Sequence, residues 1–181
     1  MAAFTTVDVV IDATINKHNR AHTHPRMAPL VVALGPGFSV PEDCHAIIET
    51  NRGHDLGRVI RHGAAASDTG IPGALGGETI RRVLRAPCAG VLQPTRSLGD
   101  RVEAGDLVAR VGQSEVRTEI AGLVRGMAQA GLQVTAGLKI GDVDPRPEAV
   151  FTTISDKSRN ISGSVLEVVV AHMAAASPIS P

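Results

Sequence analysis

The stretch from Ala86 to Val143 constrains this 181-residue chain more than any other, because it carries one short pattern twice. Ala89, Gly90, Gly99, Val102, Ala104, Gly105 and Val111 return 32 positions later as Ala121, Gly122, Gly131, Val134, Ala136, Gly137 and Val143. An alanine- and glycine-rich chain gives roughly two such identities by chance, so the duplication is architectural. Glycines ahead of and between the apolar runs supply the positive-φ positions that tight turns need. Between them Leu84, Val91 and Leu92, then Leu107, Val108 and Val111, form short β-runs broken at turn spacing. Two such half-units, related by a pseudo-twofold axis, are expected to interlock as a small flattened β-barrel.

The residues that carry this expectation are Ala86-Pro87, Ala89-Gly90-Val91, Gly99-Asp100-Arg101-Val102 and Ala104-Gly105-Asp106. They resemble the biotinyl/lipoyl barrel-sandwich hybrid. Carriers of that type present an acceptor lysine on the hairpin that joins the half-units. Here Arg110 to Arg117 holds none, and Lys139, opposite Leu107 in the repeat, reads as a strand residue. No covalent biotin or lipoyl group is therefore expected, and the cofactor is otherwise open.

Composition narrows the remainder. Lysine plus arginine equals aspartate plus glutamate at 18 each, which argues against a general nucleic-acid or acidic-membrane surface. No apolar run approaches the length of a membrane span, and Met1 to Val10 lacks the basic opening of a secretion signal, so a cytoplasmic location is expected. Cys44 and Cys88 are too few for a disulfide framework. With no Trp or Tyr, and only Phe4, Phe38 and Phe151, the core must be built from small aliphatic residues.

Val7 to Ile11 and Pro29 to Leu34 read as strands, the second apolar on both faces as in a parallel sheet. The polar segment between them carries His18, His22 and His24, whose spacing suits a metal only if its start is helical; a solvated loop is the plainer reading. Gly35-Pro36-Gly37-Phe38-Ser39 follows, and Pro41 suits the first turn of a helix running to about Thr50. A buried strand, a glycine turn and a helix N-terminus together make a generic anion seat. Cys44, near that N-terminus and beside His45, is either a reactive thiol or a small buried hydrophobe.

Glu49-Thr50-Asn51-Arg52-Gly53-His54-Asp55-Leu56-Gly57-Arg58 is the densest run of directional groups in the chain. Arginines fork onto oxyanions and His54 can trade protons near neutrality. The alternative is a salt-bridged turn that docks the helix onto a strand from Arg58 to Arg61.

This run, together with Leu34-Gly35-Pro36-Gly37-Phe38, Asp43-Cys44-His45-Ala46, Gly70-Ile71-Pro72-Gly73, Arg82-Val83-Leu84-Arg85-Ala86-Pro87, Gly141-Asp142-Val143-Asp144-Pro145-Arg146 and Thr153-Ile154-Ser155-Asp156-Lys157, resembles the YqeB-type proteins of the selenium-dependent molybdenum hydroxylase system. The resemblance runs from about Val7 to Val170. It implies an accessory protein that helps mature a xanthine-dehydrogenase-like molybdenum enzyme, with that enzyme or its maturation machinery as partner. It carries over no catalytic residue. The family carries a Rossmann-like half ahead of the segment that matches Val7, so this chain reads as a short form or a fragment. The dinucleotide glycine fingerprint after a first strand is missing, so an autonomous nucleotide-binding role is not expected.

The fold class expected is α+β: a small α/β part over 1–80 ending in a Gly/Ala-rich linker from Arg61 to Thr79, a duplicated lipoyl-like barrel over 81–146, and a C-terminal helix with a frayed tail over 147–181. Ser155 is the expected N-cap of that helix, and Ile161, Val165, Val168, Val169 and Met173 its buried stripe. The expected site for an oxyanion or cofactor fragment comprises Gly35, Gly37, Asn51, Arg52, His54, Asp55 and Arg58. A metal-dependent hydrolase using His45, Glu49 and His54 is the alternative, since four residues apart on a helix His45 and Glu49 share a face. A pure interaction scaffold is the third. An apolar strand with few neighbours leaves a sheet edge open, so self-association, or pairing with a chain that carries the Rossmann-like half, is expected through the α/β part.

Overall fold

The computed structural model describes residues 7–176. Its chain divides into two compact units, 7–69 with 154–176 and 70–153. The first is organised by Leu30-Val31-Val32-Ala33-Leu34, every residue of which is buried. An apolar run with no polar face must be covered on both sides and flanked by strands. Its strands are β1 (Val9–Asp12), β2 (Leu30–Leu34), β3 (Ser39–Val40), β4 (Ala46–Ile48), β5 (Val59–Ile60) and β6 (Gly63–Ala64). The main sheet has the order β1-β2-β4-β5. β1, β2 and β4 run parallel, with Val9 opposite Leu30 and Val32 opposite Ala46, and β5 turns back antiparallel along β4. β3 and β6 form a separate two-stranded ribbon.

One face of the sheet, with Val32, Leu34, Ala46 and Ile48, is covered by helix α1 (Asp156–Ala176) through Ile161 and Val168. Full burial of a side chain of this size is worth about 1.5–3 kcal/mol. The opposite face, with Val31, Ala33 and Ile47, is covered by Phe38, Val40, Cys44 and Ala65. Ser155 caps α1 by accepting a hydrogen bond at Oγ from the Ser158 amide, 3.0 Å away. Met173, expected within the stripe, is 61% exposed instead. At 100° per residue it lies about a third of a turn from Ile161, beyond the face that meets the sheet. The expected frayed tail past Ala176 lies outside the described residues.

The expected α+β class does not hold: the described residues are mostly β-sheet with one α-helix, at their C-terminal end. No α-helix separates β2 from β4, because the segment from Pro41 to Thr50 is a turn followed by β4. Ala46-Ile47-Ile48 is wholly buried between β2 and β5. There the β-branched pair gains packing on both faces and a ladder on both edges, which outweighs the local helix signals around Pro41. The anion seat based on a helix N-terminus and its dipole lapses with that helix.

The second unit holds β7 (Val83–Arg85), β8 (Gly90–Pro94), β9 (Arg101–Val102), β10 (Leu107–Val111), β11 (Ser114–Arg117), β12 (Gly122–Met127), β13 (Gln133–Val134) and β14 (Lys139–Asp144). They make two four-stranded antiparallel sheets, β11-β10-β8-β13 and β7-β14-β12-β9. Each short strand crosses to the other copy of the repeat: β9 pairs with β12, and β13 with β8. The core between them is aliphatic, with Leu92, Val108, Val111, Val124 and Val143 fully buried. The expected lipoyl-like barrel does not hold: the segment is two antiparallel sheets that exchange their short strands. Among the described residues no helix is long and apolar enough to cross a membrane.

Candidate functional site

Parallel strands bring their carboxyl ends, and the loops that follow, to one edge of a sheet, where crevices form. In the first unit the loops after β1 and β2 and the segment after β6 line an open pocket of about 620 Å³. Lys17 and His18 line it from the loop after β1, Pro36, Gly37 and Phe38 from the turn after β2, and Ser67 and Asp68 from the segment after β6. Ser39 and Asp43 complete the polar lining.

Each loop is held by specific bonds. Asp12, buried at the end of β1, accepts at Oδ1 from the Thr14 amide at 3.1 Å and hydroxyl at 2.6 Å, and at Oδ2 from the Thr23 hydroxyl at 2.6 Å. Burial opposes its charge, but these hydrogen bonds outweigh burial and hold the Asp12 carboxyl below the usual range. Asn19 donates to the Thr23 carbonyl and to Asp43 Oδ1, at 2.8 and 3.0 Å, tying the loop to the turn before β4. Asp43 in turn accepts from the Ser39 amide at 2.8 Å. Gly37 lies at φ +97°, and a Cβ there would stand 2.7 Å from the Lys17 carbonyl oxygen. Glycine is thus required for the β2 turn to press against the Lys17–His18 peptide. Lys17 Nζ stands 3.7 Å from Asp68 Oδ1, a loose and exposed pair.

Of the expected site residues, the cavity takes Gly37. Gly35 is buried at the end of β2, where a Cβ would stand 2.5 Å from Thr50 Oγ1. Arg52 forks onto Asp156 with bonds of 2.8 and 3.0 Å, joining the loop after β4 to the start of α1. Asn51, His54, Asp55 and Arg58 are exposed on that loop, and Arg58 stands 3.5 Å from Asp55. Glu49 is buried, and both carboxylate oxygens accept from backbone: Oε1 from Asn51 N and Oε2 from Ala66 N, each at 2.7 Å. His45 precedes β4 and accepts at Nδ1 from the Val31 amide at 2.9 Å. His45 and Glu49 thus stand at opposite ends of β4 instead of sharing a helix face. Among the described residues no group of three His, Cys, Asp or Glu side chains is placed to hold a metal ion. His18 lines the cavity, while His22 and His24 are exposed. Cys44 is fully buried, and burial, then the neighbouring Asp43 carboxylate, push its thiol up to about 11.

The sequence reading missed Lys17, Ser67 and Asp68. Ser67 and Asp68 lay within a stretch read as linker, and Lys17 was overshadowed by the histidines beside it. The signal that finds them is topological: Lys17 follows β1 of the main sheet, and Ser67 and Asp68 follow β6 of the separate β3–β6 ribbon.

No protein-family model matches this chain. It is 51% identical over 165 residues to the uncharacterized protein YqeB of Escherichia coli K12, an overlap covering 91% of this chain and 30% of that protein. Over those residues the chain is YqeB-like. It spans 30% of the length of that curated relative. Among solved structures it shows weak likeness to an aspartoacylase family protein of Mesorhizobium loti, with TM-score 0.35 and 14% identity over 80% of this chain and 54% of that one. A succinylglutamate desuccinylase/aspartoacylase of Rhodobacter sphaeroides gives TM-score 0.35 and 18% identity over 67% and 47%. The ectoine utilization protein EutE (DoeB) of Ruegeria pomeroyi gives 0.34 and 23% over 48% and 28%.

Proposed function

We propose that this YqeB-like chain is a ligand-binding part of an accessory protein that serves the maturation of a xanthine-dehydrogenase-like molybdenum hydroxylase. Its cavity holds an oxyanion or a cofactor fragment. One observation carries the binding part of this reading: a pocket of about 620 Å³ beyond the carboxyl ends of β1 and β2, with Lys17 and His18 facing the glycine turn at Gly37. A cationic side chain and an imidazole beside close-packed backbone form a recognition set for oxygen-rich anions. The loop from Asn51 to Arg58 is assigned a docking role instead, since Arg52 is engaged with Asp156.

Titration with molybdate, selenite and phosphate, followed by backbone amide shifts, tests the site. Shifts are expected at Gly37, Lys17 and His18 for at least one of the three anions. No change at those positions with any of them overturns the reading. Deleting the gene and assaying the molybdenum hydroxylases of the source organism tests the cellular role, with loss of their activity expected. A metal-dependent hydrolase built on His45, Glu49 and His54 finds less support, since both Glu49 oxygens are already occupied by backbone amides.

A further inference from the structure

The cavity has more room than an inorganic oxyanion fills. At about 620 Å³ it falls within the range of about 300–1,000 Å³ typical of small-molecule and cofactor sites. Each water takes about 30 Å³ of liquid, so a tetrahedral oxyanion the size of a few waters leaves most of the space to solvent. The lining is also divided by chemistry. Lys17 and His18 offer cationic and N–H groups, Asp68 and Ser67 offer acceptors and a hydroxyl, and Pro36 with Ala64 offers an apolar wall.

Resting on the proposed ligand-binding role of this cavity, we infer that its ligand is an organic phosphate ester of about nucleotide size. The phosphate sits against Lys17 and His18, the hydroxyl-bearing part against Asp68 and Ser67, and the remainder against Pro36. The Lys17–Asp68 pair is long at 3.7 Å, with both side chains more than two-fifths exposed, so it yields to a ligand that satisfies both partners at once. An ester carries both halves of that match: oxyanions for the lysine and hydroxyl protons for the aspartate. Inorganic phosphate, molybdate or selenite supplies mainly the first. Recognition here comes from side chains on three segments, after β1, β2 and β6, and needs no glycine fingerprint of a dinucleotide fold.

Isothermal titration of the full chain with ribose 5-phosphate, the four ribonucleoside 5′-monophosphates, inorganic phosphate and molybdate decides it. At least one ester is expected to bind ten-fold or more tightly than either inorganic anion. Lys17→Ala is expected to weaken that ester ten-fold or more, and Asp68→Asn to reduce the preference for ester over phosphate. Both residues are exposed, and an unchanged circular dichroism melt of each variant shows that it folds. If phosphate or molybdate binds as tightly as every ester, the inference falls while the cavity remains an oxyanion site. Ester binding that is indifferent to Lys17→Ala also overturns it. If none of the probes binds, the inference and the proposed role of the cavity fall together.

Discussion

Glu49 shows how a residue that looks catalytic in sequence can be structural. Its carboxylate lies at the end of β4 and spends one oxygen on the Asn51 amide and the other on the Ala66 amide, each at 2.7 Å. It thereby joins the loop after β4 to the segment after β6. Glu49→Gln keeps the shape but turns one acceptor into a donor that faces an N–H group, and is expected to cost about 1–3 kcal/mol in urea unfolding. Asp12 carries a matching argument in pH. Its folded carboxyl titrates below its unfolded value, so its stabilisation is present above about pH 4 and is lost as the pH falls through the folded value. Asp12→Asn is expected to flatten the stability profile over that acidic range and to cost about 1–2 kcal/mol at pH 7. Cys44, buried with its thiol raised to about 11, is expected to resist iodoacetamide at pH 8 in the native protein and to react once denatured.

At the scale of elements, α1 separates packing from surface in a single helix. Val168 is 1% exposed against the sheet, whereas Met173 is 61% exposed. Val168→Ala is expected to cost about 2 kcal/mol, from lost apolar burial and a residual cavity, and Met173→Ala to stay within about 0.5 kcal/mol, both by chemical denaturation. The same contrast marks what the sequence made legible. β2 and α1 stand out because an uninterrupted apolar run and a 3.6-residue stripe are local signals. β4 does not, because Ala46-Ile47-Ile48 is too short to show a period, and what makes it a strand is its pair of neighbours, β2 and β5. The repeat within 70–153 is visible as identities, yet the exchange of β9 and β13 between its copies is a long-range choice. Of the residues expected in an anion site, Gly37 lines the cavity, whereas His18, which also lines it, read in sequence only as a solvated loop residue or a metal-spaced histidine. Lys17 joins it through the loop after β1 and Asp68 through the segment after the β3–β6 ribbon, a juxtaposition that residue spacing does not encode.

For the molecule as a whole, the open question is what lies beside β1. Among the described residues β1 has one strand neighbour, β2, and its outer edge is a row of backbone groups able to accept another strand. Ile11 on that strand is 41% exposed, and Ile15, just beyond it in sequence, is 44% exposed. An edge of this kind, with Ile11 exposed on it, can accept a strand from a second copy of the chain or from another polypeptide. On α1, Leu166 and Val170 are also exposed, at 62% and 53%, but a helix face offers apolar contact without a ladder of backbone bonds. Association is therefore expected at β1. Sedimentation equilibrium of the purified 18.8 kDa chain should show a weight-average mass that climbs toward the dimer across micromolar concentrations. Ile11→Lys, which places a charge on the edge, should return it to the monomer, while Leu166→Lys should leave the association unchanged. A monomer at every concentration would show that the edge stays unpaired in the isolated chain, and association abolished by Leu166→Lys alone would move the contact to the helix.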